Sequence, residues 1–228
     1  MGVKHHIVLE DFRPIRQSPY RVAPGKRNEI KTLINKMLDR GVIEPCNGPW
    51  SSSVVLVQKS DGSSRFYVDY RRLNSVTRKD TYPLPNPQDL LSSLGDAAWF
   101  CTLDLQSGYW QVPMSEVDYE KTCFVVPGGS YKFKVMPFGL CNTVAIFQRY
   151  IDKVLREMAG FKVAVYVDDL IVAGATLEEM FLALDKMFSV FVERGLFVKL
   201  KKCTWSQRQV KFLGHCINKG EVSVDPEK

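Results

Sequence analysis

The chain has 228 residues, with 31 Lys and Arg against 25 Asp and Glu, for a formal net charge of +6. Hydrophobic residues make up 45% and charged residues 25%, a balance that excludes wholesale disorder and leaves ample material for a core without disulfide staples. No uncharged apolar run reaches the length of a membrane span, and MGVKHHIVLEDFRPIRQ is too charged for a secretory signal, so an intracellular protein with no membrane partner is expected. Six cysteines (46, 101, 123, 141, 203 and 216) form no C-x-x-C pair and several lie in apolar runs, the pattern of reduced core thiols. The mild excess of positive charge is compatible with a polyanionic partner without requiring one.

Residues 1–28 carry Pro14, Pro19 and Pro24 among basic residues and predict an extended lead-in. Ile30, Leu33, Ile34, Met37 and Leu38 then fall on one helical face, stopped at Gly41. Two β-prone runs, Ser53–Lys59 and Arg65–Tyr70, flank Asp61-Gly62 and predict a hairpin. Tyr82-Pro-Leu-Pro-Asn-Pro87 must be extended and leads into a short helix ending near Gly95. A buried strand is expected at Trp99–Leu105, and two more at Lys121–Val126 and Ser130–Met136 around Pro127-Gly128-Gly129. An amphipathic helix covers roughly 143–158, with Ile146, Phe147, Tyr150, Ile151, Val154, Leu155 and Met158 inward. Apolar strands Val163–Val167 and Leu170–Val172 follow, then a helix over about 177–194 with Leu177, Phe181, Leu184, Phe188 and Phe191 inward. Short strands are expected around Phe197, Phe212 and Val222. Hairpins mixed with helices, without strict β–α alternation, predict an α+β fold with an antiparallel sheet.

Two places break the logic of buried strands. Asp104 closes an apolar run, and Asp168-Asp169 interrupt another. An ionised carboxylate there is costly unless it is paired or binds a cation. Because neighbours in a strand point to opposite faces, Asp168 and Asp169 converge only at a sharp turn between paired strands. Two like charges about 4 Å apart repel by roughly 4 kcal/mol at an effective dielectric near 20. Three gathered acids therefore call for either divalent metal, which favours carboxylate oxygens, or structural pairing with Arg or Lys.

Tyr166-Val167-Asp168-Asp169 resembles the Y-x-D-D box of reverse transcriptases. Val68-Asp-Tyr-Arg-Arg-Leu-Asn74, Tyr82-Pro-Leu-Pro85, Leu103-Asp-Leu-Gln-Ser-Gly-Tyr109, Lys134-Val-Met-Pro-Phe-Gly-Leu140, Phe147-Gln-Arg149 and Phe212-Leu-Gly-His215 occur in the family's order. Together these blocks resemble the polymerase region of a gypsy-like long-terminal-repeat retrotransposon Pol polyprotein, over nearly the entire chain. The resemblance implies right-hand polymerase fingers and palm with the thumb absent or incomplete. It places the lead-in at 1–28, a fingers-type subdomain at 29–95 with hairpin 53–70, and a palm at 96–228. The last would include a fingers segment at about 121–137 and a primer-grip hairpin near 212–215.

It further implies RNA-directed DNA polymerase activity, the template-directed transfer of deoxynucleotides to a primer 3′-hydroxyl by two metals. Asp104, Asp168 and Asp169 would be catalytic and hold two Mg2+ ions, with Mn2+ as substitute. Tyr109 would sit under the incoming sugar, Lys59 and Arg65 would grip the triphosphate, and Phe138 and Gly139 would line the nucleotide pocket. Gln148 would face the template, and Phe212, Leu213, Gly214 and His215 would position the primer end. Plainer readings stand beside these: core aromatic for Tyr109, solvated charge for Lys59 and Arg65, a wet helix face for Gln148, an ordinary histidine for His215. The basic Lys199, Lys201 and Lys202 are either a nucleic-acid contact or a wet face.

One block departs from the pattern. Thr143 and Val144 stand where the family reads Ala and Pro, which removes a preset φ at a helix start. The implied partners are a primed RNA or DNA template, deoxynucleoside triphosphates, and downstream ribonuclease H and integrase regions of a longer polyprotein. Fingers and palm without a thumb would hold a hybrid duplex weakly, so distributive synthesis is expected. Two other readings remain: a decayed or co-opted remnant that binds nucleic acid or protein without catalysis, and a different palm enzyme such as a template-independent nucleotidyltransferase.

Overall fold

A computed structural model describes residues 3–58, 62 and 64–225. Numbered in chain order, the elements of the first half are α1 (Pro24–Asp39), β1 (Ile43–Pro45), β2 (Ser52–Gln58), β3 (Ser64–Val68), α2 (Arg71–Ser75), α3 (Pro87–Ser93) and β4 (Trp99–Asp104). There follow β5 (Phe124–Val126), β6 (Gly129–Phe133), α4 (Thr143–Leu155), β7 (Lys162–Tyr166), β8 (Asp169–Gly174) and α5 (Leu177–Arg194). The last are β9 (Thr204–Gln207), β10 (Val210–Phe212), β11 (His215–Asn218) and β12 (Glu221–Val224). The chain folds into two interleaved units: residues 1–80 with 112–143, and 81–111 with 144–228.

The first unit is built on a five-stranded sheet of order β1-β6-β5-β2-β3, antiparallel except for the parallel β2–β5 pair. The expected hairpin is β2–β3, which pairs Val57 with Arg65. The first 28 residues are not merely a lead-in. His5, Ile7 and Leu9 are buried, and α1 already begins at Pro24. Proline suits a first helical turn, whose N–H groups have no intrahelical acceptor anyway. The strand expected from Lys121 begins only at Phe124, because Glu116–Thr122 winds into a 3-10 turn. Ser130–Met136 likewise shortens to β6, ending at Phe133.

The second unit centres on a four-stranded antiparallel sheet of order β7-β8-β4-β9. One face carries Phe100, Ala164, Ile171 and Ala173. These pack with Leu91 and Leu94 of the α3 segment and with Val210, Phe212 and Ile217 of the β10-β11-β12 sheet. The other face lies under α5, where Cys101 Sγ approaches Met180 Sδ at 3.5 Å. Both faces are covered, so β4 and β8 read as continuous apolar runs rather than alternating ones. The inward stripe of α5 is Met180, Ala183, Leu184, Met187, Val190 and Phe191. Phe181, expected inward, is 51% exposed. Leu184 and Phe191 are inward as expected, while Met180 and Met187 fill the places expected of Phe181 and Phe188. No strand forms at Phe197; Leu105 and Val198 make a single bridge.

Helix α4 begins at Thr143 although the expected proline is missing. Thr143 is buried, and its hydroxyl donates to Pro137 O at 3.2 Å, which ties down the helix start. Among the described residues all six cysteines are free, and no helix is long and apolar enough to cross a membrane.

Candidate active site

Three acidic residues lie near one another at one end of the four-stranded sheet. In β4 and β8, Asp104 and Asp169 are direct antiparallel partners. In β7 and β8, Tyr166 pairs with Asp169, so Val167 and Asp168 are the two residues of a tight hairpin. The sharp turn required for convergence is therefore present. Val167 adopts φ 56, while Asp168 is not in the positive-φ region. Positive φ at the first central position alone is the II′ pattern, which normally asks for glycine there. A β-branched residue in that conformation stores about 1–3 kcal/mol of strain.

Burial and mutual repulsion act on Asp168 and Asp169. The Asp168 carboxyl is pushed up to about 6, first by desolvation and then by the charges of Asp169 and Asp104, against a smaller opposing pull from Lys202. Asp169 is raised by burial and by Asp104. Among the described residues no group of three His, Cys, Asp or Glu side chains is drawn together as a ready metal cage. The donor chemistry nonetheless fits a hard dication: all three side chains offer only oxygen, and Asp168 Oδ1 is buried without a hydrogen-bond partner. A Cβ at Gly108 would lie 2.5 Å from that oxygen, so the glycine leaves it room.

The structure also contains part of the rival pairing. Lys202, in the 3-10 turn Leu200–Lys202, donates to Asp104 Oδ2 at 2.9 Å, and the backbone N–H of Lys199 donates to Asp104 O at 2.8 Å. Lys202 was readable only as a member of a basic cluster, and 98 residues of sequence separate it from Asp104. No arginine neutralises the trio in the ion pairs of the described residues.

Tyr109, in the 3-10 turn Gly108–Gln111, is brought to the same place. Its ring meets Phe147 edge-on at 5.2 Å, and burial together with the Asp168 charge pushes its hydroxyl up to about 12. Gln148 does not lie on a wet helix face. It is fully buried, with Oε1 accepting from Val167 N–H at 2.9 Å and Nε2 donating to Asp152 Oδ1 at 2.9 Å. Nothing in the local sequence marked this, since Gln on an amphipathic helix is normally solvated.

The hairpin near 212–215 is β10–β11, with Leu213 at φ 49 and Gly214 at φ 74 in its turn. Phe212 is buried in the core, so it anchors the hairpin rather than offering a surface. His215 Nδ1 lies 3.1 Å from Leu213 O.

The remaining candidates belong to the first unit. Arg65 is exposed on β3, with Nη1 donating to Tyr67 Oη at 3.3 Å. Phe138 is exposed, and Gly139 adopts φ 95, with its carbonyl accepting from Asn74 Nδ2 at 2.8 Å. Asn74 Oδ1 in turn accepts from Cys141 N–H, so one side chain staples the Phe138-Gly139 segment to α2. Lys59 lies outside the described residues.

A strand–turn–strand with paired acids, opposite a third acid on the neighbouring strand, defines a class. The family profile described as "Reverse transcriptase (RNA-dependent DNA polymerase)" matches residues 57–217. The chain belongs to the reverse transcriptase family. It is similar to the retrovirus-related Pol polyproteins of the Drosophila melanogaster transposons opus and gypsy. The identities are 38% and 35%, covering 100% and 96% of this chain but only 23% and 22% of theirs. The enzymatic polyprotein of Cauliflower mosaic virus is 32% identical over 96% of this chain and 33% of its own length. The chain thus spans less than a quarter of the transposon relatives. Among solved structures, a foamy viral protease-reverse transcriptase in complex with RNA/DNA hybrid superposes with a TM-score of 0.89. The identity is 26%, over 98% of this chain and 30% of that one. The same viral protein with double-stranded DNA gives 0.90 at 26% identity, over 100% and 47%.

Proposed function

We propose that this chain is an RNA-directed DNA polymerase domain, extending a primer 3′-hydroxyl with deoxynucleotides and releasing pyrophosphate. The observation that supports this reading is the pairing of Asp104 with Asp169 beside the partnerless Asp168 Oδ1 on a two-residue turn. Asp104, Asp168 and Asp169 would hold two Mg2+ ions, or Mn2+ in their place. Once bound, such ions supply activation of the primer hydroxyl and neutralisation of the leaving pyrophosphate. To receive them, Lys202 must release Asp104 Oδ2 and Asp168 must be ionised.

The chain's own groups carry the remaining work. Tyr109, braced by Phe147, would present its ring to the sugar and exclude a 2′-hydroxyl. The Arg65 guanidinium suits a triphosphate, as does Lys59. Gly139, without a side chain, would let backbone approach the nucleotide beside Phe138. The turn Leu213-Gly214 with His215 would meet the primer end. On this reading the unit 1–80 with 112–143 is the fingers and the unit 81–111 with 144–228 is the palm. A primed RNA or DNA template is the partner.

Asp168→Asn tests the proposal. Primer extension on an RNA template with Mg2+ should fall by orders of magnitude while hybrid binding persists; wild-type-like extension would overturn it. The remnant that binds without catalysis draws on Thr143-Val144 and the Lys202–Asp104 pair. Magnesium-dependent extension by the unaltered chain eliminates it.

A further inference from the structure

A polar relay runs from the surface of the second unit, through the fully buried Gln148, to the acidic turn. Tyr82 Oη donates to Asp152 Oδ2 at 2.5 Å, and Arg149 lies over the Tyr82 ring at 4.6 Å. Asp152 Oδ1 accepts from Gln148 Nε2, and Gln148 Oε1 accepts from Val167 N–H, each at 2.9 Å. The direction of the relay is determined at both ends. A carboxylate can only accept and a backbone N–H can only donate, so the amide of Gln148 has one orientation that satisfies both. The group it holds is the N–H of the strained Val167, at φ 56, immediately before Asp168. A relaxed Val167 would carry Asp168 out of line with Asp169 and Asp104. Helix α4 also braces Tyr109, against which Phe147 packs.

We propose that Gln148 is a positioning residue for the polymerase reaction, with Asp152 and Tyr82 as its supports: the relay holds Val167 in its left-handed conformation and so keeps Asp168 where a dication would need it. The catalytic part rests on the function proposed above, and the conformational part stands without it.

Three variants of the 228-residue chain test it. Q148L removes both hydrogen bonds. Q148E keeps the acceptor for Val167 N–H but sets a carboxylate against Asp152. Q148E combined with D152N restores every donor and acceptor, because the new amide can donate to the new carboxylate while its oxygen accepts from Tyr82. The measurements are Val167 amide hydrogen exchange, affinity for Mn2+ alone by electron paramagnetic resonance, and steady-state primer extension.

Q148L and Q148E should each speed Val167 exchange and weaken Mn2+ binding by roughly 10-fold or more. They should lower kcat with little change in nucleotide KM, the mark of lost alignment rather than lost binding. The double variant should return all three to within a few-fold of the original. Unchanged exchange and Mn2+ affinity in Q148L would overturn the proposal. So would a double variant as impaired as Q148E alone. If Q148L does not fold, the comparison of Q148E with the double variant still decides. If exchange and Mn2+ affinity follow the predicted order but the unaltered chain extends no primer, positioning is supported and the polymerase reading falls.

Discussion

Gly108→Ala puts the assignment of Asp168 under direct steric load. Gly108 is buried at the start of the 3-10 turn that carries Tyr109. An added Cβ would stand 2.5 Å from Asp168 Oδ1 and 3.0 Å from Phe147 Cζ, whereas ordinary contact begins at 3.4 Å. The carboxylate oxygen must therefore retreat by about 0.9 Å, since the Phe147 ring blocks escape on the other side. The yielding atom is the end of a side chain rather than backbone, so the overpacking cost falls toward the low end of about 1–3 kcal/mol. For a chain of this size that lowers Tm by only a few degrees, at about 2–4 °C per kcal/mol. Metal coordination is far less tolerant, since ligand distances are held within about 0.2 Å. Mn2+ affinity should fall by roughly 10–100-fold. Primer extension should drop by about 100-fold, as a misplacement of about 1 Å can do. The assays are thermal melting, Mn2+ titration and single-nucleotide extension. A folded G108A protein with unaltered Mn2+ affinity and extension would refute the placement of Asp168 in the metal site.

Tyr109→Ala should raise ribonucleotide incorporation relative to deoxyribonucleotide in competitive extension, and an unchanged sugar preference would remove the gate role. Gly174→Ala should destabilise the fold by about 3 kcal/mol, because its Cβ would meet backbone atoms, Met180 N at 2.5 Å and Thr176 O at 2.8 Å; denaturant unfolding measures it. In pH titrations two buried groups oppose each other. His5 is lowered from 6.5 to about 4 by burial, so its contribution to stability is present above pH 6.5 and lost as pH falls toward 4. Asp168, raised from 3.8 to about 6, favours the fold below about pH 4, and that contribution is lost as pH rises through 6. Between pH 7 and 5 the His5 loss, about 2 kcal/mol, outweighs the Asp168 gain, on the order of 1 kcal/mol before discounting for its partial exposure. Acidification should therefore destabilise the metal-free chain, and His5→Gln should flatten or reverse the trend in urea midpoints. Over the same range Mn2+ affinity should weaken below pH 6, as the proton on Asp168 competes with the ion.

Much of the architecture could be read from local pattern. The hairpin β2–β3, the short helix before Gly95 and the amphipathic α4 follow from periodicity, proline and glycine, each acting within a few residues. The errors share one cause. His5, Ile7 and Leu9 are buried by packing partners that lie far along the chain, and the inward face of α5 is chosen by the sheet beneath it rather than by the bulkiest residues. Lys202 reaches Asp104 across 98 residues and Gln148 reaches Val167 across 19, so neither contact is visible in a short window around the acids.

The candidate acids were legible in the residue order, because a carboxylate in an apolar strand is a local contradiction that needs no fold to detect. The ordered blocks around Asp104 and Asp168-Asp169 then supplied the family. Strand register set Asp104 opposite Asp169, and only the folded backbone showed that Val167 is strained and Asp168 Oδ1 buried without a hydrogen-bond partner. Hydrogen-bonded register and burial are sums over distant segments, so only the folded chain could decide which side chains hold the acids in place and which one already neutralises Asp104.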